Sequence, residues 1–149
     1  MKSAFSLVEL MIVAAVIGIL AALVVPHVQD HGTTARESAA RDNLHLLRSA
    51  IELYAAQHGD VAPGYENDNR SSTPQAEHFR LQVTVQERYM RKVPVNPFNN
   101  LNTILMIGNA ETFPSAATGA YGWVYQPASK TIRLDWPGAD SDGVPYFEY

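Results

Sequence analysis

Apolar positions along the chain fall into three regimes. Residues 5–25 carry a single ionisable side chain, Glu9, among apolar or small residues. At the rise of an α-helix such a run reaches roughly 30 Å, the thickness of a bilayer's hydrocarbon core, so it is long enough to span a membrane. Residues 35–58 are different: Ala40, Leu44, Leu47, Ile51 and Tyr54 recur at spacings of four, three, four and three. That is one apolar stripe on a helix, with Arg36, Glu37, Arg41, Asp42, Arg48 and Glu52 on the other faces and Glu37 placed to pair with Arg41 one turn on. Pro26 interrupts the helical ladder and predicts a kink or loosening, not necessarily an end. Gly59 after His58 is a C-cap signal, and Asp30-His31-Gly32-Thr33-Thr34 is the weak point of low helix propensity between the halves.

The remaining chain has the patterning of a small head. Residues 64–74 read as a polar surface loop, 78–91 as a short helix, and Val93-Pro94-Val95-Asn96-Pro97-Phe98-Asn99-Asn100 as a structured turn that no helix tolerates. Residues 121–125 and 131–136 flank a turn at 126–130 and predict a β-hairpin, with 101–107 as a third strand. The fold class expected is α+β: a long N-terminal helix, with a membrane-spanning half and an amphipathic half, packed on a small antiparallel sheet.

Three readings of the N-terminus compete. A cleaved secretory signal wants a small-x-small site after its apolar stretch, and none follows Val25. A plain anchor leaves Glu9 as a carboxylate near the headgroups, with no role. The third reading comes from the string Lys2-Ser3-Ala4-Phe5-Ser6-Leu7-Val8-Glu9-Leu10-Met11, followed by the apolar run with Gly18 and then Pro26. It resembles the type IV pilin and type II secretion pseudopilin family, in which a basic leader is cut before a Phe that opens an F-[ST]-L-x-E-[LM] stretch.

The resemblance implies a leader over 1–4, cleavage between Ala4 and Phe5 by a prepilin peptidase and N-methylation of Phe5. Where the family usually has glycine before the cut, this chain has Ala4. It further implies a transmembrane and assembly helix over 5–25, its amphipathic continuation over 26–59 and a globular head over 60–149. Glu9, Gly18 and Pro26 become assembly residues, and in the family the acidic residue pairs with the terminal amine of a neighbouring subunit. A fresh amine at a helix start adds to the positive macrodipole, and a carboxylate one turn on offsets both. Ala14, Ala15, Gly18, Ala21 and Ala22 suit close helix approach.

The function so implied is that of a structural filament subunit, of a pilus or a secretion pseudopilus. Its partners are copies of itself in a helical filament, the peptidase, the inner-membrane assembly machinery and, before assembly, membrane lipid. It would reside in the inner membrane as a single-pass protein and then in a periplasmic or extracellular filament. The turn at 93–100 resembles the Pro-x-[DN]-Pro-[WF]-[GN]-Asn turn of major pseudopilins and tilts the reading toward the secretion pseudopilus. The alternative is a membrane-tethered binding module or enzyme that uses the helix only as an anchor.

Composition narrows the chemistry. With no cysteine, disulfides, thiolate metal sites and Cys nucleophiles are excluded. The net charge of -4 argues against nucleic acid as a general partner, and the lone basic cluster, Arg88, Arg91 and Lys92 around Tyr89, reads as a solvated face, so DNA is not expected. Of five histidines only His27 and His31 share a helical i, i+4 spacing, without the glutamate of a zinc protease, and no P-loop or nucleophile elbow occurs. No catalytic residue and no required cofactor are expected. Asp135, Asp140 and Asp142, near Gly138 and Gly143, gather oxygens in a short C-terminal segment. A solvated acidic turn is the first reading; a structural Ca²⁺ is the second, since that ion wants six to eight oxygen ligands and major pseudopilins carry calcium in a C-terminal loop.

Overall fold

The computed structural model describes the backbone of residues 6–149 and the side chains of 6–20 and 32–149. Two compact units divide the chain, Met1–Arg36 and Glu37–Tyr149. Helix α1 is assigned over Leu7–Gln57, through Pro26 and through the low-propensity segment at 30–34. Its C-terminus forms as the sequence predicts. Gly59 adopts φ +62°, and the Asp60 N–H returns to the Ala55 carbonyl at 2.9 Å, satisfying one of the last carbonyls of the helix.

Within the second unit the stripe forecast on α1 is the stripe that is buried: Ala40, Leu44, Leu47, Ile51 and Tyr54 are all 3% exposed or less. Phe79, Val83, Met90, Val93, Ile104, Trp123, Tyr125, Ile132 and Leu134 complete the main core with them. Each such buried aliphatic or aromatic side chain is worth about 1.5–3 kcal/mol over an exposed one. Glu37 and Arg41 depart from expectation. Glu37 is buried, not on a solvated face, and Arg41 pairs with Asp140 across the unit instead of with Glu37. The reason is that the hydroxyl of Tyr146 donates to Glu37 Oε1 at 2.9 Å, a partner 109 residues away that local spacing cannot announce.

The sheet is mixed, correcting the antiparallel expectation. Strands β1 (Ile104–Met106), β2 (Trp123–Gln126) and β3 (Thr131–Leu134) lie in that order, with β1 parallel to β2 and β2 antiparallel to β3. The hairpin between β2 and β3 is present; a 3₁₀ turn over Pro127–Ser129 and a left-handed Lys130 reverse the chain. Central strand β2 is buried at every position: Trp123 and Tyr125 face the main core, while Val124 joins Ile107 and Phe147 in a smaller cluster on the other face.

The forecast helix over 78–91 is shorter. Helix α2 spans Ala76–Thr84 and gives way to a 3₁₀ turn over Val85–Glu87, where Gln86 and Glu87 take positive φ and the Met90 N–H turns back to the Val83 carbonyl at 3.1 Å. The segment 64–74 is a loop as expected, but not wholly on the surface, since Tyr65 is 2% exposed and its hydroxyl donates to Asn109 Oδ1 at 2.6 Å.

Candidate functional site

Two regions carry the residues singled out by the sequence. The first is the apolar segment of the Met1–Arg36 unit. From 7 to 20 every side chain is exposed, with Leu7 at 76%, Leu10 at 66% and Ile17 at 61%. A helix that is apolar around its circumference and buries none of it is surface made for lipid or for other helices. Glu9 sits in the first turn, where the unpaired N–H groups and the positive end of the macrodipole favour a carboxylate. Gly18 lies on this segment with nothing within 4 Å of where a Cβ would be, which leaves room for a close neighbour. Ala4, Phe5 and the leader over 1–4 lie outside the described residues, as do the side chains of Pro26, His27 and His31. Among the described residues no helix is long and apolar enough to cross a membrane. Phe5 and the side chains of 21–25, which belong to the span expected over 5–25, are not among them.

The second region is the cluster of loops at one end of the sheet, in the Glu37–Tyr149 unit. Its hub is the turn at 93–100. Asn96 is fully buried; its Nδ2 donates to the carbonyls of Gly122 at 3.2 Å and Asp135 at 3.4 Å, and its Oδ1 accepts the Phe98 N–H at 2.9 Å. Asn99 donates to the carbonyls of Gly119 and Tyr121, and Trp123 Nε1 donates to the Pro94 carbonyl at 2.9 Å. The Pro-x-Asn-Pro pattern marks the turn, while the role of Asn96 as the tie between two strand ends is visible only in three dimensions.

Asp135 is fully buried and organises the loop that precedes β2. Oδ1 accepts the N–H groups of Thr118 at 2.6 Å and Gly119 at 3.1 Å; Oδ2 accepts the Thr118 hydroxyl at 2.8 Å and the Tyr121 N–H at 2.9 Å. Asp140 is engaged as fully. Oδ1 accepts the N–H groups of Asp142 at 3.0 Å and Val144 at 2.9 Å. Oδ2 accepts the Arg41 guanidinium and the Tyr149 hydroxyl, each at 2.7 Å. The Tyr149 hydroxyl holds the Asp140 carboxyl below the ordinary carboxylate value against the opposing effect of burial, with help from the Val144 and Asp142 N–H groups and from Arg41. Burial and the same hydrogen bond push the Tyr149 phenol up.

Of the three aspartates that residue types alone suggested for a cation, Asp135 and Asp140 have their carboxylate oxygens taken up by protein donors. Among the described residues no group of three or more His, Asp or Glu could hold a metal ion. Asp142 contributes its backbone N–H to Asp140 and leaves its side chain exposed. A carboxylate ringed by N–H and O–H donors faces the positive ends of those dipoles, which is the wrong polarity for a cation's surroundings. Arg88, Arg91 and Lys92 are exposed and lie beyond α2. Arg91 and Lys92 border an open cleft of about 510 Å³ with Arg80, but Arg80 is paired with Glu77 and Arg91 with Glu87.

An exposed apolar helix beginning at an acidic first turn, joined in sequence to an α+β head with a mixed three-stranded sheet, defines a pilin-like protein. Known proteins agree. The prokaryotic N-terminal methylation motif matches residues 1–25. The chain is similar to the type II secretion system core protein G of Pseudomonas aeruginosa, 29% identical with 81% of this chain and 85% of that protein covered. It is also similar to the type IV major pilin protein PilE of Neisseria gonorrhoeae, 26% identical over 96% and 86% of the two chains. Protein G of Escherichia coli is 25% identical over 79% and 81%. No solved structure matches. The matched motif and these likenesses support a pilin or pseudopilin family for the chain.

Proposed function

We propose that the chain is the structural subunit of a pilin-type filament, assembled through its N-terminal helix. The observation that carries this is the helix segment at 7–20, apolar on all sides, exposed at every position and carrying Glu9 in its first turn. Water is a poor solvent for that surface, and two environments relieve it: acyl chains before assembly, sister helices afterward. In this reading the subunit first sits in the inner membrane through residues 5–25. A prepilin peptidase removes residues 1–4 and Phe5 is methylated. The assembly machinery then moves the helix from lipid into a filament core.

Methylation keeps the positive charge of the new amine, so a carboxylate at Glu9 remains its electrostatic match. In a low-dielectric bundle either charge alone is heavily penalised, so pairing between subunits fixes the axial stagger. The relatives named protein G and the turn at 93–100 favour a secretion pseudopilus over a pilus. The subunit performs no catalysis in this reading; its relatives are filament proteins, and the head is devoted to structure.

The test is Glu9→Leu in producing cells. A filament subunit so changed still inserts and is still cleaved, but sheared surface fractions contain no ordered fibres. A protein that used the helix only as a tether behaves like wild type. Wild-type fibre yield from the Glu9→Leu strain, or absence of the wild-type protein from sheared fibres, refutes the proposal.

A further inference from the structure

A clustered set of aspartates near the end of a chain raises the question of what holds the surrounding loop. We infer that this chain fastens its C-terminal segment with a protein cation, the guanidinium of Arg41, and has no structural divalent-cation site there. The inference goes beyond the filament reading and does not depend on it.

The first ground is an accounting of lone pairs. An ionised carboxylate offers about four acceptor positions. Asp135 accepts four hydrogen bonds, two at each oxygen, and Asp140 likewise accepts four. A calcium ion bonds oxygens at about 2.3–2.6 Å and would have to expel these donors or sit against their hydrogens. Neither carboxylate has an oxygen left to offer.

The second ground is charge. The negative charge of Asp140, whose side chain is 2% exposed, already has a cation at 2.7 Å. Arg41, Asp140 and Tyr149 form a closed ring: Arg41 Nη2 donates to both Asp140 Oδ2 and the Tyr149 hydroxyl, and that hydroxyl donates to Asp140 Oδ2, each at 2.7 Å. The guanidinium also lies 4.2 Å from the centre of the Tyr149 ring, a cation–π contact.

The third ground is mechanical. A structural ion would tie the acidic turn to the rest of the head, and the clasp does that with side chains. It joins α1, the 138–145 turn and the last residue. Around it, Tyr146 donates its hydroxyl to Glu37, and the rings of Phe98, Tyr146 and Tyr149 stand in sequence at 4.6 and 5.5 Å. The turn is internally braced by Asp140 N–H to the Val144 carbonyl and Gly143 N–H to the Asp140 carbonyl.

The experiment uses the full chain in detergent, followed by circular dichroism melting of the head with millimolar CaCl2 or with EGTA, together with calorimetric titration of CaCl2. The two melting curves are expected to superimpose and the titration to show no stoichiometric heat. Arg41→Ala is expected to lower the midpoint by roughly 4–10 °C, equally in both buffers. Should that variant fail to accumulate, Tyr149→Phe removes one member of the ring with little change of shape, and a fall of about 2–5 °C is expected, again indifferent to calcium. A midpoint that EGTA lowers or calcium raises by several degrees overturns the inference. So does a one-to-one calcium isotherm. So do Arg41→Ala and Tyr149→Phe proteins that melt with wild type. All these readouts concern the melting of the head, so they stand whether or not filaments form.

Discussion

Replacing Asp135 by Asn isolates what the buried carboxylate does, because the two side chains have nearly the same shape. Asp135 receives four donors, two per oxygen. An amide has only one oxygen. With the amide oxygen in the place of Oδ1, the NH2 group meets the Thr118 hydroxyl and the Tyr121 N–H; the hydroxyl turns to accept from it, and the Tyr121 N–H is left without an acceptor. A buried donor left without a partner costs about 1–3 kcal/mol, which sets the expected loss. A domain of the head's size shifts by about 3–5 °C per kcal/mol, which makes the expected fall in melting midpoint roughly 3–15 °C. The assay is thermal and urea denaturation of the full chain in detergent, followed by far-ultraviolet circular dichroism and tryptophan fluorescence. Trp136 stacks on Phe98 at 5.7 Å beside this loop and reports on its order. Thr118→Val grades the argument: it removes one of the four bonds and is expected to cost about 1 kcal/mol. If Asp135→Asn melts within about 2 °C of wild type, the carboxylate is filling volume and not ordering the loop, and the reasoning fails.

Two further outcomes follow from the same geometry. Gly122→Ala would set a Cβ 2.3 Å from the Leu101 carbonyl oxygen, backbone against backbone, and is expected to destabilise the head by about 2–3 kcal/mol in urea melts. Gly32→Ala, where a Cβ meets nothing within 4 Å, leaves the same melt unchanged. The pH dependence of the clasp has a definite sign. Asp140 titrates below its ordinary value of 3.8 in the folded chain, so the stability it contributes is complete above that pH and is lost as pH falls through the lower folded value. The groups facing it are Arg41, Tyr149 and the N–H groups of Asp142 and Val144. The gap in melting midpoint between wild type and Asp140→Asn is therefore expected to be constant near neutrality and to close only under acid; a gap that closes on raising the pH from 4 to 7 contradicts the assignment.

Some of this architecture is written locally and some is not. The stripe on α1 was legible because a helix that buries one face must repeat apolar residues at its own period, and all five forecast positions are buried. The strands fall inside or within a residue or so of their forecast segments for a similar reason. Strand direction is another matter, since alternation of side chains is the same whichever way a neighbour runs. The signal that was available was length: residues 107–122 between β1 and β2 are too many for a tight hairpin and enough for a crossover. Glu37 is expected on a face other than the apolar stripe, yet it is buried. Its partner, Tyr146, is remote in sequence. Asp135 and Asp140 show the same limit in chemistry, for a carboxylate that binds a cation and one that gathers N–H groups have identical letters. Only the placement of donors tells them apart.

The division of the chain at Arg36 and Glu37 bears on why a filament subunit can exist in two solvents. Among the described residues, every buried side chain lies at Glu37 or beyond, and the main core draws on α1 only from Ala40 onward. The head therefore closes its interior without using any apolar residue from 7 to 20. In the proposed reading, transfer of these exposed residues from acyl chains to neighbouring helices exchanges one apolar surrounding for another. The cost of the exchange falls on the one group that is not apolar. In that reading Glu9 loses access to headgroups and water on entering a helix bundle, where only a positive partner compensates a carboxylate. That asymmetry is why Glu9→Leu is expected to spare insertion and abolish ordered assembly, whereas changes in the loops around Asp135 and Asp140 are expected to act through stability alone.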